Sequence, residues 1–171
     1  MALKADRFEE STDISFFYNE GTATRGGVVV LADQGQASGA ALDQGENLVK
    51  YAKATATDVP VGILLNDVVN KDLTRTHLNQ YKDEVQKGGK VTVLTRGWVV
   101  TNNIEGTPKA GEVAFASTVD VDGTAGHICN ATSFAAASGE LCIGRFMSRK
   151  DADGYCKVYV NLPNAGGAKA D

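Results

Sequence analysis

A chain of 171 residues with 43% hydrophobic and 22% charged residues has the length and composition of one globular domain with a sizeable core. Its 17 Lys+Arg against 21 Asp+Glu give a net charge of −4. That leaves no basic footprint, so neither nucleic acid nor an anionic membrane is expected as a partner. No apolar run approaches the ~20 residues that span a bilayer. The start, Met1 to Glu10, carries charges where an export signal needs an apolar stretch.

Residues 1–26 read as an N-terminal arm with acidic and aromatic patches, including Phe16-Phe17-Tyr18, and end at Arg25-Gly26-Gly27. From there glycines punctuate short segments rich in Val and Thr, the pattern of strands joined by turns. The predicted strands are Gly27–Ala32, Leu48–Ala54, Val61–Asn66, Lys90–Asn102, Glu112–Ser117, Leu141–Ser148 and Tyr155–Leu162. Residues 33–46 are small and polar and read as a loop. Leu73–Gln86 places Leu78, Tyr81 and Val85 at helical spacing in an otherwise polar excursion. A helical turn or two is expected there, stopping at Gly88-Gly89. Residues 27–163 form the single β domain and 164–171 a flexible tail. The fold class is all-β: a small sandwich or barrel with an extended arm, long loops and at most a short helical turn.

The last strand shows the clearest pattern. Cys156, Val158, Val160 and Leu162 alternate with Tyr155, Lys157, Tyr159 and Asn161, so Cys156 reads as a small buried hydrophobe. With Cys129 and Cys142 the count is odd and no C-x-x-C occurs, which fits a reducing cytoplasm rather than a disulfide framework or a zinc site. Asp120-Val-Asp-Gly123 and Asp151-Ala-Asp-Gly154 resemble half of a calcium loop. Neither is followed by the closing Glu such a loop needs, and Asp-Gly is the natural chemistry of a hairpin turn. No metal and no cofactor is expected.

His77 and His127 are the two histidines, and neither sits in a nucleophile motif, so no enzyme is expected. Gly88-Gly-Lys-Val91 lacks the spacing of a phosphate loop. Trp98 reads as a core or subunit-interface residue. Phe16, Phe17 and Tyr18 cannot all face one side of a strand. They are a fully buried first strand, a segment with Phe17 packed inside and its neighbours half exposed, or a docking arm, since aromatics anchor interfaces.

The order of motifs from Val59 to Leu162 resembles the auxiliary capsid proteins of tailed bacteriophages, the decoration or cement proteins. The resemblance is carried by Val59-Pro-Val-Gly-Ile-Leu64, Thr76-His-Leu-Asn-Gln-Tyr-Lys-Asp-Glu-Val85 and Val91-Thr-Val-Leu-Thr-Arg-Gly-Trp-Val-Val-Thr101. Gly106, Lys109-Ala-Gly111, Ile143-Gly-Arg-Phe-Met-Ser148 and Asp153-Gly-Tyr-Cys-Lys-Val158 complete it. It implies a β-rich virion protein, made in the host cytoplasm, that binds the outer face of the major capsid shell and stabilises it. Such proteins are homo-oligomers, with a homotrimer favoured and a dimer the alternative. The expected docking parts are the arm, with Phe16, Phe17 and Tyr18, and the excursion 72–86, with His77, Leu78 and Tyr81. The competing function is a carbohydrate- or ligand-binding β module on a virion or cell surface, which needs aromatic and polar side chains converging on one site.

Overall fold

The computed structural model describes residues 3–20, 23–32, 47–51, 59–67, 84–85, 87–117, 128–130 and 141–162. Their regular elements are all strands, as the alternating and Val-rich segments dictate. In chain order these are β1 (Leu3–Asp13), β2 (Phe17–Tyr18), β3 (Ala23–Thr24), β4 (Val28–Leu31), β5 (Leu48–Tyr51) and β6 (Pro60–Asp67). There follow β7 (Glu84–Val85), β8 (Val91–Thr101), β9 (Val113–Ala116), β10 (Ile128–Asn130), β11 (Leu141–Phe146) and β12 (Cys156–Asn161). All seven predicted strands are present, six of them within a few residues of both predicted ends; the last residues of the predicted Leu48–Ala54 lie outside the described residues.

Two differences from the sequence reading matter. Glu84–Val85, at the end of the predicted helical excursion, is a strand paired with β3. The rest of that excursion lies outside the described residues. Regular structure also begins well before Gly27. Residues 3–13 form an eleven-residue strand on β8. Its sequence, Leu-Lys-Ala-Asp-Arg-Phe-Glu-Glu-Ser-Thr-Asp, shows no apolar alternation because backbone pairing, rather than burial, holds it.

β8 is the strand everything shares. β1 runs along one of its edges, pairing with residues from Val93 to Thr101. On the other edge β6 takes the first part, Val91–Leu94, and β12 the second, Arg96–Thr101. The sheet therefore divides into two halves. One continues β6-β4-β5-β2, the other β12-β11-β9-β10. All pairs are antiparallel except β2 with β5.

The first half curls. β2 returns to the beginning of β8, where Phe17 bridges Lys90 and the Val91 N–H donates to the Phe16 carbonyl at 3.0 Å. Tyr18, Val29, Val49, Tyr51, Leu64, Val91 and Val93 fill the concave side, with Ala23 and Val85 of the β3-β7 ribbon. The Tyr18 and Tyr51 rings meet edge to face at 5.9 Å. The opposite side of the same strands presents Val28, Val30, Ile63, Leu65 and Leu94. These pack against Ala114, Ala116, Ile143, Phe146, Cys156, Val158 and Val160 of the second half, giving a two-layer sandwich. The sheet does not close into a barrel.

Gly97 shows how tightly β1 and β8 approach. Its φ is 137°, and a Cβ there would run into the Phe8 carbonyl oxygen.

Candidate functional site

Among the described residues the second half-sheet is covered on one face only. On β12, Cys156, Val158 and Val160 point inward and Lys157, Tyr159 and Asn161 outward, as the alternation predicts. Cross-strand register then fixes what stands beside them. Tyr159 pairs with Trp98 of β8 and with Arg145 of β11. Trp98 pairs onward with Phe8 of β1, and Arg145 with Val113 of β9. Paired residues project to the same side of a sheet. Phe8, Trp98, Tyr159, Arg145 and Val113 thus form one row across five strands, facing away from the core.

A second row runs beside it. Val100 pairs with Lys157, and the Met147 N–H donates to the Lys157 carbonyl at 2.8 Å. The Lys157 ammonium lies 3.3 Å from the centroid of the Trp98 ring, a close cation–π stack. At the other flank Arg96 pairs with Glu10 at 3.1 Å. The Arg96 guanidinium also donates to the Tyr159 hydroxyl. That bond and the Glu10 charge push its pKa further up. The face is therefore aromatic along its centre, apolar at its ends and studded with cations. Among its described residues no nucleophile stands beside a base.

The predicted docking residues are placed as follows. Tyr18 is 2% exposed and belongs to the core of the first half-sheet. Burial raises the pKa of its hydroxyl well above the usual tyrosine value. Phe16 is partly buried against the same cluster. Phe17 is half-buried, with the Lys90 ammonium 5.9 Å from its ring centroid. His77, Leu78 and Tyr81 lie outside the described residues, as do His127 and the Asp120–Gly123 motif. The structure joins none of the three aromatics to the outward row.

Asp151–Gly154 is a turn. The Asp151 carboxylate accepts the N–H groups of Asp153 and Tyr155 at 3.0 and 2.8 Å, and Gly154 has a φ of 83°. The turn is wider than a two-residue hairpin, since the Asp151 N–H bonds the Tyr155 carbonyl. Lys4 pairs with the same carboxylate at 3.0 Å and stands over the Tyr155 ring at 4.1 Å. The Lys4 bond is the largest of the effects that hold the Asp151 pKa low. That carboxylate is thus occupied by its own turn and by β1. Among the described residues no group of three or more His, Cys, Asp or Glu is placed to hold a metal ion.

Sequence reasoning missed the outward row because its members are spread from residue 8 to residue 159 and meet only through four strand registers. The one local signal was the outward set Tyr155, Lys157, Tyr159 and Asn161.

Residues 11–161 match the model of a protein family described as "Structural cement protein (E217 gp24/Pam3 gp6)". No curated protein matches the chain.

Proposed function

We propose that this chain, which belongs to the phage structural cement protein family, acts by binding the outer face of the major capsid shell and bridging its subunits. Family membership makes it a stabilising structural component of the phage capsid, located in the virion. The outer face, the major capsid protein as direct partner, homotrimeric assembly and synthesis in the host cytoplasm are the finer parts of the proposal. The observation that carries it is the family match across nearly all of the β domain.

The mechanism is mechanical. A rigid sandwich laid across a joint between shell subunits adds contact area that rupture must break. Many copies act together, so modest interfaces sum to a large resistance. The fold suits this use. β8 ties two half-sheets and β1 into one body, so force applied at one sheet is carried through backbone hydrogen bonds to the other. No step in this reading needs a catalytic group.

The experiment uses shells with and without the protein. Adding purified protein to shells that lack it should give saturable binding at a fixed ratio to the major capsid protein, read by gel densitometry. The bound shells should rupture at higher temperature. Absence of binding, or saturation at a few copies per particle, defeats the proposal in favour of a rare receptor-binding module. Light scattering of the free protein tests the trimer.

A further inference from the structure

We infer that the outward row of the second half-sheet, from Phe8 to Val113, is the surface that meets the shell, and that it seats an acidic, partly apolar surface of a capsid subunit. This rests on the cement reading and adds to it which face docks and what chemistry receives it.

Three observations carry the inference. The first is where apolar surface is left uncovered. Among the described residues the exposed large apolar side chains are Phe8, Ile14, Leu31, Val59, Val113 and Met147. Phe8, Val113 and Met147 lie along or beside this one row. Trp98 and Tyr159 fill the space between, and Trp, Tyr and Arg are the residues that most often anchor interfaces. The second is charge. Arg96, Arg145 and Lys157 all stand on this face, in a chain whose net charge is −4. Glu10 reaches the row from β1 and is already held by Arg96. Arg145, between Tyr159 and Val113, is exposed. The face is a cationic spot on an acidic protein, and its complement is acidic.

The third observation decides among occupants. Against a second copy of the same face, one cationic patch would meet another, and like charges across an interface repel. A sugar needs the open face of an aromatic ring, yet Lys157 already sits 3.3 Å from the centroid of Trp98. An acidic protein surface meets neither obstacle. Its carboxylates pair with Arg145 and Lys157, and its apolar atoms cover Phe8, Met147 and Val113.

The test is binding of charge-reversed variants to shells that lack the protein. Arg145→Glu with Lys157→Glu should weaken binding at least ~10-fold and flatten its dependence on salt. Lys87→Glu, an exposed reversal on the turn before β8, should stay within about twofold of wild type. Circular dichroism and Tm check that the double variant is folded. Should it misfold, Arg145→Ala alone serves, because that side chain is exposed; its binding should still fall and its salt dependence flatten. Wild-type binding and salt dependence in the folded variant overturn the inference and leave the cement reading standing. Loss of self-association with normal shell binding also overturns it, making the face a contact between copies. Failure of the wild-type protein to bind shells at all removes the cement reading, and this inference with it.

Discussion

In the first half-sheet the central strands are buried on both sides. Val28, Val29 and Val30 of β4 are all fully covered, as are Ile63, Leu64 and Leu65 of β6. In the second half-sheet burial alternates. Val158 and Val160 are covered, while Lys157 and Tyr159 are only partly so. The two halves share β8 and divide the labour. One is a doubly packed body whose polar groups are few and inward contacts many. The other spends only one face on the core and leaves the second to present side chains. A strand with two buried faces reads as a continuous apolar run, and one with a single buried face as an alternation. Both signatures stand in the sequence, as Val28-Val-Val30 and as Cys156-Lys-Val-Tyr-Val160.

Aromatic truncation is the severest test of this contrast. Tyr18 lies in the concave side of the first half, 2% exposed, and Phe8 lies on the outward row, 52% exposed. Tyr18→Ala should cost about 3–5 kcal/mol by analogy with other buried aromatics. At about 2–4 °C per kcal/mol, that is a fall in Tm on the order of 10 °C. Phe8→Ala should stay within about 0.5 kcal/mol, the range of surface changes. Equal losses in chemical denaturation would erase the distinction between the two regions.

That pair also shows what was legible in the sequence. The aromatic cluster at 16–18 was visible, but its orientation was not. Tyr18 is buried because β2 runs parallel to β5 while the segment 88–91 closes on its other edge. Those contacts are remote in sequence. Phe8 sits in a stretch of charged residues with no period, since β1 is paired by its backbone and eight successive residues from Ala5 to Thr12 are exposed. The sandwich was readable because burial leaves a period in the sequence. The edge strand and the outward row were not, because hydrogen-bond register leaves none.

A second perturbation acts on the joint between β1 and β8. Gly97→Ala would place a methyl group against the Phe8 carbonyl at a φ of 137°. Strain of this kind costs about 1–3 kcal/mol, and release of β1 is the easiest escape. Amide hydrogen exchange should then speed up across residues 3–13 while β4 and β6 keep their protection. Uniform loss of protection would mean that β1 is part of the core unit rather than an edge laid upon it.

Strongly alkaline pH probes chiefly the first half; in the second, burial raises the thiol pKa of Cys156. Burial raises the hydroxyl pKa of both Tyr18 and Tyr51. In the unfolded chain these groups lose their protons near pH 10. Below that pH both states hold the proton and the full stability is present. Above it the unfolded state binds fewer protons, so stability falls as pH rises. The slope is up to about 1.4 kcal/mol per pH unit for each such group. Denaturation midpoints should fall gently from about pH 9, where the Cys156 thiol, also raised by burial, contributes, and more steeply beyond about 10. Tyr51→Phe should make the decline shallower, and an unchanged slope would place its source elsewhere.

The smallest effect belongs to the outward row, and the chain carries a single tryptophan with which to see it. Lys157 stands 3.3 Å from the Trp98 ring centroid, so it contributes both a charge and a cover. Two substitutions separate these. Lys157→Met keeps an unbranched apolar stem and removes the charge. It should lower stability by about 0.5–1 kcal/mol, the worth of an exposed cation–π contact. Lys157→Ala removes the stem as well, opening the ring to solvent, and acrylamide should then quench Trp98 emission faster than in either wild type or Lys157→Met. If the alanine variant is quenched no faster than wild type, Lys157 does not cover the ring. Trp98 would then be open as a stacking platform, and the reason for setting a sugar aside as the occupant of this face would be gone. Faster quenching in Lys157→Ala alone, with Tm nearly unchanged, would confirm a face whose side chains are arranged for contact with a partner and carry little of the fold.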